Sequence, residues 1–222
     1  MEKKTALLFG STGLTGGYLL QRLLMDSRYE KIKVFVRKKI GFPSDKKLEE
    51  HVVKLSDPET FAELLEGDDL FCCLGTTLAK AGSKEAFRKV DFEIPVKIAE
   101  ASSKNNVPSF IIISSLGANA TSSNFYLRTK GEMEEAVRKY AFRKTAILRP
   151  SMLLGGRKEF RFGESAGKLF MQAFGFLFIG GLKKYKAIQA KSVARAMIEI
   201  ANGNYQETVF ESDRIREIAM MV

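Results

Sequence analysis

The sequence predicts an α/β fold built on a doubly wound parallel sheet. Short β-branched or apolar runs alternate with amphipathic helical patterns along most of the 222 residues. A glycine-rich turn directly follows the first run, at the point where a helical pattern begins. Such alternation indicates crossover units, which place parallel strands in one sheet and helices on both of its faces.

The predicted elements follow one another in a regular order. A helix is expected over 17–25, and Asp57-Pro58-Glu59 marks another helix start, with an acidic N-cap and proline at the first helical position. Ser83 is expected to cap a long helix over 83–104, and a further helix is expected over 126–140. The six strand-like runs cover residues 5–9, 32–36, 51–54, 70–74, 109–114 and 145–148.

The chain length sets the expected domain organisation. A chain of 222 residues can bury one sizeable core but is short for two independent domains. We therefore expect a single domain over 1–222, with about 151–222 contributing a small C-terminal lobe at the carboxyl edge of the sheet. Segment 169–182 is rich in Phe and nearly all apolar, but it is shorter than the ~20 residues of a membrane span. A buried helix or a dimer contact is the first interpretation, and a pocket wall or a membrane-surface contact is the alternative.

The turn after the first strand reads Gly-Ser-Thr-Gly-Leu-Thr-Gly. Its first two glycines let the backbone turn sharply and approach phosphates, and the third lets the next helix pack closely. The helix N-terminus then offers free N–H donors and a partial positive charge to an anion. This context predicts a pyrophosphate site in a Rossmann fold. The residues expected to bind the cofactor here are Gly10, Ser11, Thr12, Gly13, Leu14, Thr15 and Gly16.

The end of the second strand indicates which dinucleotide binds. An NAD-binding protein usually carries an acidic residue about 20 residues past the glycines, where it binds the ribose 2′-hydroxyl. Here Arg37 stands 21 residues after Gly16, and Lys38 and Lys39 follow it. A guanidinium can pair with a 2′-phosphate and stack on adenine. The sequence therefore favours NADP(H) over NAD(H), with a solvated basic turn as the alternative.

Composition excludes several other classes of function. The net charge of +10 is scattered along the chain, and its short basic runs lack interleaved aromatic residues, so no nucleic-acid partner is expected. Cys72 and Cys73 are adjacent, and His51 is the only histidine, so neither a disulfide framework nor a metal site is expected. We expect buried thiols in a reducing cytosol, no signal peptide, no transmembrane segment and a cytoplasmic location.

Two later segments carry the side chains of a candidate active site. Ser114 and Ser115 follow the fifth strand, at the sheet edge where ligands bind in open α/β folds. Tyr126 and Lys130 open the next helix, and their i, i+4 spacing places them on one helix face. A nearby ammonium favours the phenolate form of a tyrosine, which makes Tyr126 a candidate general acid or base.

In this order, the motifs resemble the short-chain dehydrogenase/reductases, and within them the atypical group of the Tat-interacting-protein-like oxidoreductases. The resemblance covers the chain to about residue 210. It implies that Ser115 is the catalytic serine, with Ser114 as its close rival at the cofactor, and that Tyr126 and Lys130 are the tyrosine and the lysine. Lys130 would also bind the nicotinamide ribose. The matching segments are 10–16, 73–77, 114–118, 123–132 and 148–155.

The resemblance also implies further cofactor contacts. Leu74, Gly75 and Thr76 match the loop that lies along the cofactor, and Pro150 lies in the loop that borders the nicotinamide. One position departs from the better-known members of the family. Asp91 stands where many of them carry an asparagine that supports a proton relay.

These observations predict an NADP(H)-dependent oxidoreductase that acts on a small carbonyl or alcohol compound. The alternatives are a non-catalytic NADP(H) sensor or interaction protein and a sugar-nucleotide epimerase or dehydratase. The presence of Ser115, Tyr126 and Lys130 together favours the enzyme, because a sensor does not need all three. The Phe-rich segment suggests an apolar substrate bound by the substrate-side lobe, and the protein is expected to be a monomer or a homodimer.

Overall fold

A computed structural model describes residues 3–42, 45–155 and 184–221. In this part of the chain, seven parallel strands form one sheet in the order β3-β2-β1-β4-β5-β6-β9, and β7 and β8 pair separately. The strands are β1 Lys4–Phe9, β2 Tyr29–Val36, β3 Leu48–Val52, β4 Asp69–Cys72, β5 Ser109–Ile113, β6 Lys144–Arg149, β7 Leu153–Leu154, β8 Ile188–Gln189 and β9 Val209–Glu211.

Helices connect these strands. Between β3 and β4 the chain makes two short 3-10 turns, Pro58–Thr60 and Ala62–Leu64, and helix α3 continues into α4 through a π-helical turn, Lys89–Glu93. The α-helices are α1 Leu14–Met25, α2 Leu78–Ala81, α3 Lys84–Arg88, α4 Ile94–Lys104, α5 Phe125–Val137, α6 Ala190–Asn202 and α7 Ser212–Met220.

The predicted fold class is confirmed, because all six predicted strands lie side by side in the parallel sheet. Ser83 caps α3 as expected, and its hydroxyl accepts the Ala86 N–H at 3.1 Å. The segment after Asp57 forms 3-10 turns instead of the expected helix, and the Asp57 side chain makes no capping hydrogen bond. A proline at the first helical position is compatible with either helix type, so the local pattern alone does not decide between them.

The core occupies both faces of the sheet, which is the arrangement expected for a doubly wound fold. In β1, Ala6 and Leu8 pack in the layer that contains α1, α6 and α7. Leu7 and Phe9 point to the opposite face, toward α4 and α5. Because both faces are covered, β1 has to be apolar at consecutive positions, and it therefore reads as a continuous hydrophobic run.

The C-terminal region extends the sheet. Val209–Glu211 forms the seventh strand beside β6, and α6 packs against α1. Neither this strand nor the short β7–β8 pair was predicted, because strands of two or three residues carry little periodic signal. The expected single domain over 1–222 stays a prediction, and the Phe-rich segment 169–182 lies outside the described residues.

Candidate functional site

The carboxyl ends of β1, β4 and β5 meet at one edge of the sheet, and two adjacent pockets open there. The larger one is a cleft of about 470 Å³ between the glycine turn and the loops after β2 and β4. The smaller one lies beside it, between the N-terminus of α1 and helix α5. Open α/β sheets bind ligands at this edge, so the two pockets form the candidate site.

Two of the three glycines are required by the backbone of this turn, each for a different steric reason. Gly10 has a φ of +84°, and a Cβ atom there would lie 2.7 Å from the backbone carbonyl of Cys73. At Gly16 a Cβ would lie only 2.1 Å from the Gly10 carbonyl oxygen, so α1 can pack on the turn only without a side chain. Gly13 is less confined, because its Cβ would stand 3.2 Å from the same oxygen.

The N-terminus of α1 suits an anionic ligand. Gly13 is the N-cap residue of this 12-residue helix and has no side chain with which to bind the free N–H groups. Ser11 is buried, and its hydroxyl has no hydrogen-bond partner among the described residues. Exposed helix N–H groups beside a buried hydroxyl are the donors that a pyrophosphate requires, so these residues fit a dinucleotide.

Basic residues stand at one end of the cleft. Arg37 and Lys38 directly follow β2, and Lys80 faces the same cleft from α2. The apolar lining comes from Phe35, Leu55, Val90 and Ile94, which is typical of a surface that receives a planar base. Of the expected cofactor contacts, the cleft is lined by Gly10, Ser11, Thr12, Gly13, Leu14, Arg37, Leu74, Gly75 and Thr76.

The smaller pocket gathers the candidate catalytic side chains. Tyr126 and Lys130 reach it from the first two turns of α5, and Ser114 reaches it from the end of β5. Ser114 is 5% exposed, and its hydroxyl has no hydrogen-bond partner among the described residues. A buried hydroxyl without a protein partner is available to a ligand. Thr15, Leu74 and Gly75 complete the cofactor side of this pocket.

Three of the expected site residues do not line either pocket. Ser115 is half-buried, and its hydroxyl lies 3.4 Å from the Leu116 carbonyl oxygen. Gly16 supports the turn from inside α1, as described above. Pro150 is buried, and its carbonyl accepts the Leu116 N–H at 3.0 Å, which joins the loops after β5 and β6. The role of Ser115 as the catalytic serine stays a prediction.

Cys72 ends β4, and Cys73, the next residue, lines both pockets. Both lie in the described part of the chain, both are buried, and no disulfide joins them. Burial raises the pKa of the Cys72 thiol to about 12. At neutral pH this thiol is therefore protonated, and it is not a candidate nucleophile.

The structure adds site residues that sequence reasoning missed. Lys80 and the apolar side chains at 55, 90 and 94 line the cleft from segments without a local motif, and Thr77 lines it from the matching segment 73–77. Asp91 enters the smaller pocket from the π turn, where its carboxylate lies 2.7 Å from the Lys130 ammonium. The sequence marked Asp91 only as a departure from a family pattern, because its contact with Lys130 joins two distant parts of the chain.

Comparisons with known proteins agree with this geometry. A family model described as NAD(P)H-binding matches residues 10–203. Protein HTATIP2 of Rattus norvegicus is 33% identical over 220 residues, which cover 97% of this chain and 89% of the rat protein. The mitochondrial protein FMP52 of Candida albicans is 32% identical over 219 residues, which cover 92% of this chain and 93% of that protein.

Solved structures share the fold at lower identity. UDP-N-acetylglucosamine 4-epimerase from Methanobrevibacter ruminantium M1, in complex with UDP-N-acetylmuramic acid, has a TM-score of 0.70 at 16% identity. That match covers 98% of this chain and 81% of the epimerase. The Bordetella bronchiseptica enzyme WbmH, in complex with NAD+, has a TM-score of 0.69 at 14% identity, covering 95% of this chain and 75% of that one. At such identities the likeness shows the fold alone.

The relatives overturn one expectation. The sequence suggested a cytoplasmic location, but FMP52 relatives from several yeasts are named mitochondrial proteins. The inference was wrong because it relied on two buried thiols and on the expected lack of a secretory signal peptide. Burial protects a thiol in any compartment, and a secretory signal does not distinguish the cytosol from a mitochondrion. The described helices offer no independent indication, since none of them is both long and apolar enough to cross a bilayer.

The predicted motifs, the two pockets and the matched family model thus involve the same residues. The glycine turn, the basic end of β2 and the Tyr–Lys pair of α5 all lie within the matched range 10–203. The similarity to the rat and yeast proteins extends over most of the chain. The chain belongs to the NAD(P)H-binding family, and within it to the atypical short-chain dehydrogenase/reductases of the HTATIP2 type.

Proposed function

We propose that the protein is an NADP(H)-dependent oxidoreductase that acts on a small carbonyl or alcohol compound. One observation carries the proposal: Ser114, Tyr126 and Lys130 line a pocket that adjoins the dinucleotide cleft. A site that only senses NADP(H) needs the cleft but has no use for a hydroxyl, a phenol and an ammonium together beside it.

Each side chain has a distinct role in the proposed reaction. Tyr126 exchanges a proton with the substrate oxygen, since a phenol on the same helix face as an ammonium can act as an acid or a base. Lys130 holds the nicotinamide ribose with its ammonium and lies on the same helix face as the phenol. Ser114 orients the substrate oxygen with its buried hydroxyl. A bound nicotinamide supplies the hydride chemistry.

The preference for NADP(H) rests on the basic end of the cleft. Arg37 and Lys38 line the cleft after the end of β2, where they would pair with a 2′-phosphate, and Lys80 adds a third cation from α2. Charge-assisted hydrogen bonds to a phosphate are among the stronger polar contacts in proteins. A carboxylate at the end of β2 would repel the phosphate, whereas this chain has arginine there.

The cofactor preference can be tested by titrating NADPH and NADH and following cofactor fluorescence. We expect NADPH to bind at least tenfold more tightly, which corresponds to about 1.4 kcal/mol. Arg37→Ala should reduce this ratio severalfold. Lys39→Ala is the matched control, because Lys39 carries the same charge two residues away and is not among the residues lining the cleft. Equal affinities in the wild type would contradict the preference.

The catalytic role can be tested with Tyr126→Phe, which removes only the phenol hydroxyl. With a substrate found from a panel of aldehydes, ketones and quinones, single-turnover oxidation of NADPH should slow by about a hundredfold or more. NADPH affinity should remain near the wild-type value. Full activity in this variant would remove Tyr126 from the mechanism. Binding of NADPH without turnover of any compound in the panel would favour the sensor.

The two neighbouring serines provide an internal comparison. We expect Ser114→Ala to lower turnover by about tenfold or more, because this hydroxyl lines the pocket with Tyr126. Ser115→Ala should have a smaller effect, since the Ser115 hydroxyl lies near the Leu116 carbonyl instead. The reverse order of effects would restore Ser115 as the catalytic serine.

A further inference from the structure

A π-helical turn interrupts the helical segment that follows β4. It spans Lys89–Glu93, between α3 and α4, and Asp91 is its central residue. The Asp91 side chain is 1% exposed and points into the smaller pocket. π turns are rare, and they often occur where a helix has to direct one side chain into a functional site.

A backbone hydrogen bond and an ion pair meet at the Asp91 carboxylate. One oxygen accepts the backbone N–H of Thr76 at 2.8 Å. The other lies 2.7 Å from the Lys130 ammonium, whose side chain is 5% exposed. Asp91 thus connects the loop after β4 with helix α5, and both of these elements line the candidate site.

The two helical segments contact each other along several residues. One turn before the ion pair, the Phe87 ring packs 5.5 Å from the Tyr126 ring. Arg88, the residue after Phe87, forms a second ion pair with Glu132 of α5. The Tyr126 and Lys130 side chains therefore each have a partner on α3 or on the π turn, at matching i, i+4 spacing.

The ion pair lies directly behind the cofactor loop. A Cβ atom on Gly75 would stand 3.2 Å from the Asp91 carboxylate and 3.7 Å from the Lys130 ammonium. A side chain at this position would therefore crowd the Asp91 carboxylate, which would have to move by a few tenths of an ångström. The same loop lines the dinucleotide cleft, so a shift of the Lys130 ammonium would change the contacts available to a bound cofactor.

We propose that Asp91 is a positioning residue that holds the Lys130 ammonium at the place where it contacts the nicotinamide ribose and supports Tyr126. The proposal rests on the proposed function and goes further, because it assigns the role to a carboxylate. Thr76 contributes a backbone N–H and Lys130 a cationic ammonium, and a charged carboxylate can hold both at once. An asparagine offers one acceptor and two donors, so one of the two contacts would be lost.

The test is a double-mutant cycle on NADPH affinity, which requires no substrate. Asp91→Asn should weaken NADPH binding by about tenfold, and Lys130→Met should weaken it at least as much. In the Lys130→Met background, the added Asp91→Asn change should cause no further loss, because Asp91 acts through Lys130. A further tenfold loss there would show that Asp91 acts through the loop after β4, and it would overturn the inference.

Control measurements distinguish a positioning role of Asp91 from a folding defect and from a failure of the proposed function. Glu93→Gln removes the same charge from an exposed position of the same π turn, and it should leave NADPH affinity unchanged. If Asp91→Asn fails to fold, the longer carboxylate of Asp91→Glu should still weaken binding severalfold, and wild-type affinity in that variant would overturn the inference. A wild type that bound neither dinucleotide would overturn the proposed function as well.

Discussion

At the scale of single residues, the glycine turn shows that the same residue type serves two different purposes. Gly16 lies where α1 packs against the turn, and a Cβ atom there would come within 2.1 Å of a backbone oxygen. Gly13 borders the space open to the phosphates, and its Cβ would be 3.2 Å from that oxygen. Its φ of −74° is also accessible to any residue. Gly16 is thus required by the fold, whereas we expect Gly13 to be required by the ligand.

This difference can be measured by substituting alanine at each position. Gly16→Ala should lower the free energy of unfolding by about 3 kcal/mol or prevent folding, because only backbone atoms could move to relieve the overlap. Gly13→Ala should fold with a loss of about 1 kcal/mol or less and should weaken NADPH binding by about tenfold or more. Urea unfolding and NADPH titration are the two measurements. A stable Gly16→Ala variant would contradict the assigned packing role.

At the scale of elements, helix α5 carries the candidate chemistry and is anchored at several points. Asn124 caps its N-terminus by accepting the Leu127 N–H at 3.1 Å. Gly131 presses against the preceding loop, where a Cβ would lie 2.2 Å from the Ala120 nitrogen. Glu134 is fully buried and accepts three hydrogen bonds, of 2.9, 3.2 and 2.5 Å, from Arg149 at the end of β6.

The Glu134–Arg149 pair fixes the helix relative to the sheet edge. The hydrogen bond to Glu134 raises the pKa of Arg149, so the guanidinium stays charged throughout the physiological range. Arg138 also contacts the Glu134 carboxylate, at 3.3 Å. Loss of one partner from a buried pair leaves the other charge uncompensated, which is costly in a protein interior.

We therefore expect Glu134→Gln to lower the free energy of unfolding by about 2–3 kcal/mol, somewhat less than for a fully buried pair because Arg149 retains some solvent contact. Glu135→Gln is the matched control, since Glu135 is exposed on the same helix, and it should change stability by less than about 0.5 kcal/mol. Urea unfolding of both variants measures the two changes in stability. Equal stabilities would mean that the pair adds nothing to the anchoring of α5.

At the scale of the whole molecule, the cofactor cleft draws on distant parts of the chain. Its lining extends from Gly10 to Ile94, and the adjoining pocket adds side chains as far along as Lys130. A ligand bound there contacts loops that follow β1, β2, β4 and β5, so it should stabilise the sheet as one unit. The net charge of +10 adds a general attraction for a polyanionic cofactor.

Thermal unfolding can test this coupling without any substrate. NADPH at a hundred times its dissociation constant should stabilise the protein by about 2.7 kcal/mol, which raises the Tm of a chain of this length by about 5 °C or more. NADH at the same concentration should raise the Tm less. Arg37→Ala should bring the two shifts closer together. An unchanged Tm with both dinucleotides would contradict binding at this cleft.

The sequence alone determined the features that depend on neighbouring residues. The glycine turn, the arginine at the end of β2 and the Tyr126–Lys130 spacing are local patterns, and the structure places them around one site. The alternation of strand and helix patterns was sufficient for the fold class, since both faces of a parallel sheet must be apolar. The cellular compartment was not determined in this way, because no local pattern in the sequence specified it.

The tertiary structure decided the features that depend on residues far apart in the chain. Asp91 and Lys130 meet only because the π turn and α5 pack together at the end of β4. Ser114 rather than Ser115 lines the pocket, because the direction in which a side chain leaves a strand end depends on the following loop. β9 is only three residues long, and it becomes a strand through pairing with β6. Such contacts carry no periodic signal in the sequence, since their energy arises only once the elements have packed together.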